Sequence, residues 1–289
     1  MAPRFILLAA ALLLCGCDKL DQRGMVMTLD PAYRAEIVLG TADGISSPDG
    51  LLWADGRLYI ADEGGSAVRV WTPGEGVRTL ADARAGLVSP EDIARDGAGN
   101  LYVTDDSSGG VLRIGRGGIV RLAGAEEGLP STEGLALGPG GIVLAGDQPG
   151  RRIVSIAADG SVAAFLAGIA KPESLAFDGR GNLYIADNEA NVLYVMTPGR
   201  RLHRPIQARG GFSPESLHFD GGALFITDSD HGKLYRYTPQ DGLVTIAVFG
   251  GELANVQGIA GDERGNLYLS IQSDLAGRRG YVLRLARTR

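Results

Sequence analysis

Between residues 47 and 270 the chain repeats one pattern six times. Ser89-Pro90-Glu91-Asp92-Ile93-Ala94, followed by Gly99-Asn100-Leu101-Tyr102-Val103-Thr104-Asp105, returns as Lys171-Pro172-Glu173-Ser174-Leu175-Ala176 with Gly181-Asn182-Leu183-Tyr184-Ile185-Ala186-Asp187. It returns again as Ser213-Pro214-Glu215-Ser216-Leu217-His218 with Ala223-Leu224-Phe225-Ile226-Thr227-Asp228, and weaker copies surround Asp49, Glu133 and Gln257. One acidic or amide position recurs at Asp49, Glu91, Glu133, Glu173, Glu215 and Gln257, in steps of 42, 42, 40, 42 and 42 residues. A period of about 40 residues restricts the chain to architectures that stack one supersecondary unit on the next.

Each repeat holds four short apolar runs with strand-like alternation and no helical period; in the second they are Asp92 to Arg95, Leu101 to Thr104, Val111 to Ile114 and Ile119 to Leu122. The 44 glycines and 13 prolines form no low-complexity block, so they are turns between these runs. Four antiparallel strands per period predict an all-β fold, a six-bladed β-propeller over residues 34–289; a β-helix would need a shorter period. The last repeat supplies only three strands, while Ala35-Glu36-Ile37-Val38-Leu39 matches the fourth-strand position of Val77 to Ala81. This N-terminal strand is expected to complete the last blade and close the ring, leaving no free sheet edge there.

Ahead of the repeats, one early cation (Arg4), an apolar run from Phe5 to Leu14 and then Cys15-Gly16-Cys17 read as a secretory signal over residues 1–16. The run is too short to span a bilayer. Leu14-Cys15-Gly16-Cys17 resembles a bacterial lipobox, which implies cleavage after Gly16 and a lipid on Cys17. Residues 17–33 are then expected to be a lipidated tether that holds a periplasm-facing domain to the membrane, and Asp18 implies the inner membrane. With Cys15 removed and Cys17 acylated, no disulfide forms. A net charge of −6 and an aromatic content of 6% argue against a nucleic-acid partner.

The pattern Pro-x-x-Ile/Leu-Ala with Gly-Asn-Leu-Tyr-Ile-Ala-Asp resembles the NHL repeat. It is also similar to blades of the gluconolactonase (senescence marker protein), paraoxonase and strictosidine synthase group. The resemblance covers residues 35–286 and implies the six-bladed fold; this architecture serves binding scaffolds, lactonases and lyases alike.

Several repeated residues have a local job. Asp62, Asp105, Asp147, Asp187 and Asp228 close the second strand before a turn, where a carboxylate accepts backbone N–H groups. Gly99, Gly181 and Gly265 serve hairpin turns that need positive φ, and Tyr59, Tyr102, Tyr184 and Tyr268 are expected to pack between blades. Asp49, Glu91, Glu133, Glu173, Glu215 and Gln257 instead precede the innermost strands and so are expected around one mouth of the central channel. Carboxylates gathered there repel and raise one another's pKa values unless a cation sits among them, and an oxygen-only donor set favours Ca²⁺. In the gluconolactonase and paraoxonase relatives the equivalent position supplies ligands to a divalent cation. The alternative is that each side chain bonds the backbone of its own or the next blade. No ring position is Asn, a departure from the lactonase pattern that weakens the case for catalysis.

His218 replaces the alanine found at this position in most repeats and is the candidate general base, lining the channel next to Glu215; a hydrogen-bonded core histidine is the other reading. His231 lies in the turn after Asp228, and His203 lies in an arginine-rich outer stretch with Arg200, Arg201, Arg204 and Arg209. No Gly-x-Ser-x-Gly elbow, phosphate loop, Cys-x-x-Cys pair or His-Glu-x-x-His helix occurs in the sequence. Two functions remain: a ligand- or protein-binding scaffold with a cation at its mouth, or a Ca²⁺-dependent hydrolase of lactones or esters.

Overall fold

The structure, a computed structural model, describes residues 17–20, 24–208, 210–272 and 279–288. The apolar run and the proposed cleavage site lie outside the described residues, as does Arg209, and of Cys17 only the backbone is described. Among the described residues no helix is long and apolar enough to cross a membrane.

Six antiparallel sheets form the blades of a propeller. The innermost strands are Pro48–Ala54, Pro90–Arg95, Leu135–Leu137, Pro172–Phe177, Pro214–Asp220 and Val256–Gly261. Each is followed outward by its hairpin partners in chain order. In the sixth blade the outermost strand is Tyr33–Leu39, paired with Gly280–Arg287 and beginning two residues before the expected Ala35.

The apolar alternation is used between blades. The described buried side chains form six clusters, each joining two neighbouring blades. One of them joins Leu39, Ala260, Tyr268 and Val282 of the sixth blade to Leu51, Leu58 and Ile60 of the first. There the Trp53 and Tyr268 rings stack at 4.9 Å, and Tyr184 meets Phe219 edge-on between the fourth and fifth blades, the role expected of the repeated tyrosines. Outer strands such as Gly118–Ala123 and Leu202–Gln207 are solvated along most of their length. His203 is exposed on the latter, while Arg204 covers Tyr194 and Arg200 covers Phe165.

The segment expected to be a tether differs. Gly24–Thr28 pairs with the outer strand Gly242–Gly251 of the fifth blade, and Cys17–Leu20 pairs with Gly24–Thr28, which extends that sheet to six strands. Val26 is fully buried and Thr28 nearly so, while Met25 between chain neighbours is exposed. This is period-two patterning too short to stand out from sequence. The hairpin covers the backbone edge that a ten-residue outer strand would otherwise leave open.

Candidate functional site

Five of the six innermost strands enter their blades through an irregularity. The ladder register shifts between Pro48 and Leu51, Pro90 and Ile93, Pro172 and Ser174, Pro214 and Leu217, and Val256 and Ile259. A bulge re-aims the residues it contains, and Asp49, Glu91, Glu173, Glu215 and Gln257 lie within these shifts. The prolines at four of them donate no ladder hydrogen bond, so a break in pairing is tolerated there.

The loops leading into these strands are held by the repeated aspartates. Asp62 accepts the N–H groups of Ser46 and Ser47 at 3.0 and 2.9 Å, and Asp105 those of Val88 and Ser89 at 2.7 and 3.2 Å. Asp187 accepts from Ala170 and Lys171 at 2.8 and 3.1 Å, and Asp228 from Ser213 at 3.1 Å. Asp147 bonds Gly150 N and Arg152 Nε instead. Asp105, Asp147, Asp187 and Asp228 also take a turn N–H three residues on, the turn role expected of them, and His231 Nδ1 joins Asp228 at 2.8 Å. Gly99, Gly181 and Gly265 have φ between 77 and 88° in the hairpin turns.

Successive innermost strands approach too closely for side chains at some positions. A Cβ on Gly50 would lie 2.3 Å from Glu91 O, and one on Gly258 would lie 2.3 Å from Asp49 O. At two of the equivalent positions a polar side chain bonds across the interface. Asp92 accepts Leu135 N at 3.0 Å and Ser174 Oγ accepts Leu217 N at 3.2 Å. Thr227 and Ser270 donate to Gln257 O and Asp49 O at 2.5 Å each. The ring's backbone is thereby fixed from both sides.

Asp49, Glu91, Glu133, Glu173 and Glu215 converge on one cavity of about 20 Å³, room for a single water- or ion-sized occupant. Gln257 turns to Asn255 Oδ1 at 2.5 Å. A second set of polar side chains, missed by the sequence reading, surrounds this mouth. Asn188 and Ser229 donate to Glu215 Oε2 at 2.9 and 2.7 Å. Gln272 donates to Asp49 and Glu63, each at 3.1 Å. Asp106 takes the Ser131 hydroxyl. Each of these follows the closing Asp of its blade or its sixth-blade counterpart Ile271; Glu63, Asp106, Gln148, Asn188, Ser229 and Gln272 are polar in every repeat, and that regularity was the available signal.

Burial and mutual charge act together here. The Asp49, Glu91 and Glu133 carboxyls are held well above the ordinary carboxylate range, by burial first and then by neighbouring carboxylates such as Glu215, Asp49 and Glu173 respectively. Burial, with the Glu173 charge next, raises Glu215 to about 8 against the Ser229 and Asn188 hydrogen bonds. Glu173 is raised less, because burial is opposed by Lys171, whose ammonium contacts Glu173 Oε1. Burial lowers the Lys171 pKa, but Glu173, Glu133 and Glu215 raise it by more.

His218 stands one step deeper than expected. It lines an adjoining cavity of about 150 Å³ with Leu51, Trp53, Asp92, Ser174, Ser216 and others, away from the Glu215 carboxylate. Its Nε2 occupies the space a Cβ on Gly261 would take, at 2.3 Å. Burial lowers its pKa against Asp220, which keeps the imidazole neutral at pH 7. Asp92 borders both cavities, and burial raises it to about 7 although Leu135 N and Ile93 N bond its carboxylate.

The donor set around the smaller cavity fits a hard cation: oxygens alone, in excess of positive charge. As the side chains stand, no three acidic or metal-binding groups among the described residues gather closely enough to hold a metal ion.

Comparison with known proteins agrees with the fold. The family described as strictosidine synthase-like, N-terminal, matches residues 76–114. A gluconolactonase from Xanthomonas campestris is similar at 16% identity and a TM-score of 0.71, covering 95% of this chain and 96% of its own. Regucalcin from Agrobacterium tumefaciens, a calcium-binding protein, is similar at 15% identity and a TM-score of 0.68, with coverage of 84% and 90%. Virginiamycin B lyase from Staphylococcus aureus gives 14% identity and a TM-score of 0.63, with coverage of 88% and 100%. No curated protein matches the sequence. At such identities these likenesses to solved structures show a shared fold alone.

Proposed function

We propose that this protein is a membrane-anchored, periplasm-facing propeller lipoprotein, tied to the bilayer through acylated Cys17, which binds its ligand at the acidic mouth of the channel, with a divalent cation as the first component. The observation that carries this reading is the convergence of five carboxylates on a cavity of about 20 Å³, with burial and mutual repulsion pushing their pKa values up. A doubly charged ion offsets that repulsion while the carboxylates stay ionised. Glu91 and Glu133, whose carboxylates make no hydrogen bond among the described residues, would hold it together with Asp49 and Glu215 after small side-chain movements. Ca²⁺ suits the donor set, and calcium binding by regucalcin on the same fold supports it. A periplasmic protein or a small molecule is the expected second component.

A second reading, a hydrolase of lactones or esters, is favoured by His218 and Asp92, which line one cavity next to the ring. A cation at the ring would supply polarisation of a carbonyl. His218, kept neutral by burial, would take the proton of an attacking water. The gluconolactonase on the same fold supports this reading.

Thermal melting with and without Ca²⁺, run beside a lactone and aryl-ester panel, tests both readings. A melting shift without turnover is the expected result. A shift with turnover that His218→Ala abolishes establishes the hydrolase, and no shift removes the cation.

A further inference from the structure

Two places before the ring position the repeats carry Ser47, Ser89, Ser131, Lys171, Ser213 and Asn255. The serines are used locally: Ser89 Oγ donates to Glu63 at 3.0 Å, Ser213 Oγ to Asp230 at 2.8 Å, and Ser131 Oγ to Asp106. Lys171 alone brings a charge to this position, and it reaches past its own proline to contact Glu173 Oε1. Its backbone is fixed, because Lys171 N donates to Asp187 at 3.1 Å and Lys171 O accepts Glu173 N at 3.0 Å.

The two partners differ in freedom. The Glu173 side chain is 3% exposed and the Lys171 side chain 31% exposed, so the ammonium has a path to water that the carboxylate lacks. In the neighbouring blade, lining the same cavity, stands Glu133, nine-tenths buried and without a hydrogen-bond partner among the described residues. The Lys171 charge therefore acts on Glu173 first and on Glu133 and Glu215 after it, while at Asp49 and Glu91, after burial, neighbouring carboxylates dominate.

We infer that Lys171 is a tethered counter-ion on the Glu173 side of the ring, against whose charge a divalent cation must enter, so that this lysine sets the affinity of the mouth. The inference rests on the cation reading above and concerns what limits it. Pairing in a low-dielectric site is strong enough for one charge to compete with an incoming ion.

Calorimetric titration of the full chain in detergent with CaCl₂ alone tests this. Lys171→Met should bind Ca²⁺ about tenfold more tightly than the unaltered chain or more, the order expected for removing one like charge from a partly buried site. Lys171→Arg should match the unaltered chain. Because Lys171→Met leaves Glu173 buried and unpaired and could fail to fold, the same comparison is made between Glu173→Gln and the double variant Lys171→Met/Glu173→Gln, where the double variant should be the tighter. Equal or weaker binding on removing the lysine, or no binding by any of these chains, overturns the inference. Binding confined to the variants lacking Lys171 upholds it and instead overturns cation binding by the natural chain.

Discussion

The carboxylate of Asp187 accepts the backbone N–H of Lys171 at 3.1 Å, and so the residue that closes one strand fixes the chain that carries the cation at the channel mouth. Asp187 also takes Ala170 N and Ala190 N, at 2.8 and 3.0 Å, and is fully buried. Asp187→Ala strands three backbone donors and should cost about 3 kcal/mol or more. The urea midpoint checks this, and a change within error would show that the loop holds itself.

The raised carboxyls make stability depend on pH in a definite direction. Glu215 goes from an ordinary 4.5 to about 8 on folding, so between those values the folded chain keeps a proton that the unfolded chain has lost. Stability therefore falls as pH rises from about 4.5 to about 8, and Asp92 adds the same sign between 3.8 and about 7. Urea midpoints in metal-free buffer across this range should decline, and Glu215→Gln should reduce the slope. A midpoint that climbs with pH would contradict the burial described for the ring.

Gly261 stands where the other innermost strands carry Trp53, Arg95, Leu137, Phe177 and Phe219, and its bare Cα makes room for His218. Gly261→Ala should push the imidazole toward water and raise its pKa from the lowered value back toward 6.5. Proton NMR titration of the three histidines reads this directly. An unmoved His218 titration would mean the ring does not touch this position.

Gly50→Ala meets backbone rather than a movable side chain, with Glu91 O at 2.3 Å. We expect a loss of about 2–3 kcal/mol, visible as a lower melting temperature, and weakened cation binding because Glu91 shifts. A melting temperature equal to that of the unaltered chain would show that the strands separate at little cost.

The fold was legible because its signal is a period: six copies of one spacing specify blade number, strand number and the ring of Asp49, Glu91, Glu133, Glu173 and Glu215. Features that depend on a single blade departing from its copies were harder to read. The hairpin on the fifth blade rests on two buried side chains, Val26 and Thr28, at the end of a charged stretch. His218 was visible as a departure, but its depth in the channel depends on Gly261, 43 residues away. Lys171 lay in plain view within a repeat, yet its meaning comes from the burial of Glu173 and the nearness of Glu133 and Glu215, which only packing reveals.

The N-terminal segment touches two neighbouring blades in turn, Gly24–Thr28 along the fifth and Tyr33–Leu39 along the sixth. Tension applied from the Cys17 end meets these contacts in series. The outer hairpin would be the first to peel and lengthen the chain, before force reached the strand that completes the sixth blade. Were the chain held at Cys17 as proposed, the hairpin would act as a mechanical fuse that takes up strain before the ring opens.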